Sequence, residues 1–143
     1  MGFALRCDAD SLEISNSGTI WGGVWIEAGG EAFPQVGWND MSVAFAVELG
    51  IALMGAGGSD SSSMRVRFYD GPFWVMVGGS GTGQLVLTLG GPHEKKVVTL
   101  PAVEAFESFI STASGLLDAC HARGWGGNRD VVRLEGVVAS VDR

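Results

Sequence analysis

Residues 64–100 read MRVRFYDGPFWVMVGGSGTGQLVLTLGGPHEKKVVTL, and this stretch decides the fold. Four runs rich in β-branched and aromatic residues, about 64–70, 73–78, 84–90 and 94–100, are separated by Gly71-Pro72, by residues 79–83 and by Gly91-Pro92-His93. Separators this short leave no room for a crossover, so the runs are expected to pair as an antiparallel meander. Pro101 follows at once and opens a helix, as proline does at a first helical position. Val103, Phe106, Ile110, Ala113, Leu117 and Cys120 then recur at helical spacing, widened by Phe109 and Leu116, which places Phe106 and Cys120 in the core. Gly124 ends that helix, with Arg123 favourable in its last turn.

Upstream, residues 3–7 and 10–15 read as short strands joined by a turn at Asp8-Ala9. Residues 19–28 read as a longer strand with bulky groups on both faces, Trp21 and Trp25 on one, Ile20, Val24 and Ile26 on the other. Residues 33–40 form a loop in which Asn39 or Asp40 caps a helix over 41–54, apolar nearly all round, with Glu48 its single charge. Residues 55–63, rich in Gly and Ser, are a flexible connection. Asn128 can cap a last segment, 129–141, in which Val131, Leu134, Val138 and Val141 share a helical face; its many valines leave a strand open. The expectation is one α+β domain, residues 1–143, with an antiparallel sheet of about six or seven strands and two or three helices packed on it.

The chain has 143 residues and a net charge of −7, all of it in the first sixty. There Asp8, Asp10, Glu13, Glu27, Glu31, Asp40, Glu48 and Asp60 face one base, Arg6, whereas residues 61–143 balance. Such a one-sided acidic surface repels nucleic acid and anionic membrane and attracts basic partners. The first ten residues carry no basic segment followed by an apolar core, and no apolar run is long enough to span a bilayer. With only Cys7 and Cys120, far apart, a disulfide framework is not expected and cytoplasmic residence is.

The run Gly78-Gly79-Ser80-Gly81-Thr82-Gly83 has the composition of a phosphate loop, but a strand follows it and no Lys, so it reads as a hairpin loop. His93, His121 and the two cysteines show no metal-ligand spacing, so no metal or other cofactor is expected. Serines cluster at 59–63 without a nucleophile elbow, so no catalytic residue is assigned. The five tryptophans are more suggestive, since outward aromatics anchor interfaces; Arg65, Arg67 and Tyr69 share a face of their strand.

Two motifs, Phe33-Pro34-x-x-Gly37-Trp38-x-Asp40 and Phe68-x-Asp70-Gly71-Pro72-Phe73-x-Val75, with the ending Cys120-x-x-x-Gly124-Trp125-x-x-x-Arg129-Asp130-Val131-x-x-Leu134, resemble those of small bacterial immunity proteins of polymorphic toxin systems. The resemblance implies a cytoplasmic, acidic, non-catalytic α+β domain that blocks a cognate toxin by occlusion, and it supplies no active-site residues. The expected function is therefore protein binding, to a basic toxin domain, with no nucleic acid or membrane as partner. The expected contacts are Glu27, Glu31, Trp38, Asp40, Asp60, Asp70 and Trp74. Two alternatives stand beside it: a small-molecule or peptide-binding module using a sheet face lined by Trp and Arg, and an enzyme with dispersed carboxylates.

Overall fold

The computed structural model describes residues 2–58 and 63–141, which form an α+β fold of three helices and two antiparallel sheets. Strands β1 (Phe3–Ile14) and β2 (Ile20–Ala28) pair antiparallel. The turn expected at Asp8-Ala9 is instead a bulge inside one continuous strand. Pairing runs from Phe3–Ala28 to Asp8–Gly23 and resumes at Glu13–Trp21, so residues 9–12 face Gly22 alone. Ser11 holds the bulge: its Oγ donates to the Asp8 carbonyl (2.7 Å) and accepts the Gly23 N–H (2.8 Å). Leu12 turns back into the core over Gly22, where a Cβ would fall 2.6 Å from Leu12 Cδ2. The expected loop over 33–40 is bounded by two short strands, β3 (Glu31–Phe33) and β4 (Asn39–Asp40), both paired with β2.

Helix α1 (Ser42–Gly58) follows, then the expected meander: β5 (Ser63–Arg67), β6 (Trp74–Gly79), β7 (Gln84–Gly90) and β8 (Lys95–Pro101). Helices α2 (Ala102–Ala122) and α3 (Arg129–Val141) complete the chain, so the segment that sequence left between helix and strand is a helix. Asn128 caps it as expected, its Oδ1 accepting the N–H groups of Asp130 (2.9 Å) and Val131 (3.3 Å). Gly124, at φ +80°, ends α2 in a Schellman turn: its N–H bonds to the His121 carbonyl and that of Trp125 to the Cys120 carbonyl.

The strands divide into two four-stranded sheets, not one sheet of six or seven. The cause is α1. A helix apolar all round needs cover on more than one side, and α1 touches β2 of the first sheet, β5, β6 and β7 of the second, and both other helices. Phe45 stacks on Phe68 with ring centroids 4.2 Å apart. On another side Gly50 admits Phe109 of α2 and Val137 of α3; a Cβ there would lie 2.5 Å from each.

The stripe expected on α2 is rotated in its first half. Ala105, Phe109, Ala113, Leu116, Leu117 and Cys120 are buried, whereas Val103 is 64% exposed and Phe106 and Ile110 are half-buried. Polar side chains four residues apart fix this rotation. Glu104 Oε2 accepts the Phe3 N–H (2.9 Å), Ser108 Oγ accepts the Leu5 N–H (3.0 Å), and Thr112 Oγ1 donates to the Leu5 carbonyl. These bonds occupy the outer edge of β1 at Phe3 and Leu5, where no strand pairs with it among the described residues. Among the described residues no helix is long and apolar enough to cross a membrane.

Candidate recognition surface

The β5–β8 sheet buries Val66, Val75, Val77, Leu85, Leu87 and Leu89 on one face. Its other face is set by register. Arg67, Trp74, Gly90 and Lys95 form one row across the strands; Arg65, Met76, Thr88 and Val97 form the next; Ser63, Gly78, Val86 and Thr99 form a third. All but Gly90 are exposed or half-buried, with Val97 60% exposed.

The centre of this face is a stack. The Trp74 indole lies flat on Gly90, where a Cβ would fall 2.1 Å from Cζ2 and 2.4 and 2.5 Å from Cε2 and Cη2. Distances so even across the ring place its face, not its edge, against the sheet. The Arg65 guanidinium sits over the ring, 4.4 Å from its centroid. Such a cation–π contact contributes about 0.5–1 kcal/mol at an exposed site. It also fixes the guanidinium plane and leaves its N–H edge free.

The expected contact residues divide. Asp40 is wholly buried and cannot touch a partner. Its Oδ1 accepts the N–H groups of Met41 (2.7 Å) and Tyr69 (3.1 Å), and its Oδ2 accepts Trp38 Nε1–H (3.0 Å) and the Asp70 N–H (3.1 Å). It therefore sits one residue before the helix cap: the Phe45 N–H bonds to the Met41 carbonyl, and α1 begins at Ser42. Trp38 is half-buried, edge-on to Phe73 at 5.2 Å, and Phe33 packs edge-on against Phe68 and Phe73. The two sequence motifs are thus halves of one joint, with the Asp40 carboxylate pinning the chain after β5 to the start of α1. Asp70 is exposed at the following turn, and Trp74 lies on the sheet face.

The remaining acids do not form a bare acidic patch. Glu27 pairs with Arg6 at 3.0 Å and Glu31 with Lys96 at 2.8 Å. The hydrogen bond and charge of Lys96 hold the Glu31 carboxyl below its usual range. Asp60 lies outside the described residues. Tyr69 lies beyond the end of β5 and is exposed; partial burial and then the acids Glu48 and Asp130 push its hydroxyl up.

Arrangements for chemistry are sparse. Among the described residues no group of three or more His, Cys, Asp or Glu side chains could hold a metal ion. Cys7 and Cys120 are free thiols; burial and then the Cys120 thiol push Cys7 up to about 12, which keeps it protonated at neutral pH. The cleft between the sheets, lined by Phe33, Leu89, Glu94 and Lys96, holds about 40 Å³, room for little more than water. No family model, no curated protein and no solved structure matches the chain.

Sequence reasoning named Arg65, Arg67 and Trp74 but missed Met76, Gly90, Lys95 and Val97. Alternation within each strand marks the outward positions. Only the register shows that Gly90 lies beside Trp74.

Proposed function

We propose that this protein is a non-catalytic binding protein that covers a surface of a protein partner with the outer face of its β5–β8 sheet. The Gly90–Trp74–Arg65 stack carries the reading. An aromatic anchor with apolar neighbours at the centre and cations around it has the composition of an interface core and rim. Neutralising a bacterial toxin by occlusion is the form of this function that the motif resemblance implies. Two free thiols suit a reducing, cytoplasmic setting. The basic partner expected from net charge has weaker support, because Asp40 is buried and Glu27 and Glu31 already hold cations.

Co-purification with the product of the neighbouring gene tests the proposal. Trp74→Ala combined with Val97→Asp should abolish retention, while Val132→Asp on the exposed side of α3 should not. Retention lost only with the α3 variant would move the interface off the sheet.

A further inference from the structure

We infer that this sheet face binds an extended acidic segment of the partner, with two carboxylates four residues apart, one on Arg65 or Arg67 and the other on Lys95. The inference rests on the reading of the face as a recognition surface and adds the chemistry it recognises. Among the described residues, Arg65, Arg67, Lys95 and Arg129 have neither a carboxylate nor a carbonyl partner, and the first three stand on this face. No carboxylate stands in its three rows. The chain as a whole carries −7, so the face is a local cationic site on an acidic molecule, and complementarity selects an acidic occupant.

Spacing sets the pattern. Neighbouring strands lie about 4.8 Å apart, so β5 to β8 spans roughly 14 Å. An extended chain advances about 3.3 Å per residue and returns to the same side every second residue, so residues i and i+4 sit roughly 13 Å apart on one side. Residue i+2 then falls midway, over β6 and β7 beside Trp74 and Met76, which favours an apolar side chain there. Single-stranded nucleic acid is disfavoured because base stacking needs an open aromatic face. The Trp74 ring is already occupied, lying against Gly90 and carrying the Arg65 guanidinium 4.4 Å from its centroid. The same stack holds Arg65 ready for a two-point carboxylate contact.

The test is an NMR titration of the ¹⁵N-labelled chain with three probes. One is a capped peptide Gly-Glu-Ser-Leu-Ser-Glu-Gly, one the same composition with adjacent glutamates, and one an eight-residue oligothymidine. The spaced peptide should shift the Trp74 indole and the outer-face side chains and bind tightest. Arg65→Gln with Arg67→Gln should weaken it about tenfold or more, and Lys95→Gln less, with affinity falling as salt rises. Arg129→Gln, off the face, should leave it unchanged, and Arg65→Lys should be intermediate because it keeps charge but loses the planar stack. Equal binding of the adjacent-glutamate peptide, an equal loss with Arg129→Gln, or tighter binding of the oligothymidine overturns the inference, the last in favour of nucleic acid. A neighbouring-gene product held through Trp74 that the spaced peptide does not displace overturns the acidic segment alone and leaves the recognition face standing.

Discussion

Asp40→Ala should destabilise the fold far more than the loss of a helix cap. A lost Asp cap costs about 1 kcal/mol. Here the substitution removes the acceptor of four N–H groups: Met41, Tyr69, Asp70 and the Trp38 indole. Each buried donor left without an acceptor costs about 1–3 kcal/mol. Tyr69 and Asp70 are exposed residues whose amides can turn to water, whereas Met41 and Trp38 are partly buried. Two costly donors and two cheap ones give a loss of about 3–5 kcal/mol. Asp40→Asn keeps the shape but turns an NH₂ toward two of the donors, and it should recover only part of the loss. Urea unfolding followed by circular dichroism gives the stability, and the wild-type m-value checks that one transition is being compared. A second substitution, Trp38→Phe, should cost less in the Asp40→Ala background than alone, since the indole bond is already gone. A loss near 1 kcal/mol for Asp40→Ala would refute the clamp and return Asp40 to an ordinary helix-start role.

Phe109→Ala should cost about 3–5 kcal/mol and Phe106→Ala clearly less, because the first ring is buried and the second half-exposed; a thermal-melt ranking in the reverse order would show that α2 is rotated differently. Gly90→Ala should lift the Trp74 ring off the sheet, since the new Cβ falls 2.1 Å from Cζ2, and should break the Arg65 stack; unchanged Trp74 and Arg65 side-chain resonances would contradict that. Glu31 has a folded-state value lowered from 4.5 by Lys96, so its contribution is present above that ordinary value and lost as pH falls through the lowered one. Lys96→Met should therefore flatten the acid side of the stability profile, and a profile unchanged in urea midpoints between neutral and acid pH would exclude the pair as a source. Cys7, held near 12, should resist iodoacetamide at neutral pH until the chain is unfolded, which mass spectrometry of the labelled chain can follow.

Local rules settled what is local. The glycine and proline separators dictated the meander, Gly124 the end of α2 and Asn128 the start of α3, because turn and cap chemistry acts within a few residues. The apolar periphery of residues 41–54 announced a central helix before any partner was known. Arg65 and Arg67 were visible as sharing one strand face, since alternation along a strand needs no tertiary information, whereas it left open which of Phe73 and Trp74 points outward. What the sequence left open depended on groups far apart along the chain. Asp40 looks like a cap or a surface acid until the turn after β5, about thirty residues on, supplies its donors. The rotation of α2 follows from Glu104, Ser108 and Thr112 meeting a strand edge more than a hundred residues away, a bond pattern that outweighs the bulk of Val103 and Phe106. The acids of the first sixty residues read as one charged face by composition, but folding buries Asp40 and gives Glu27 and Glu31 a cation each. Composition counts charges; only the tertiary structure decides which of them meet, because Coulomb and hydrogen-bond energies fall away over a few ångströms while sequence distance carries no such scale.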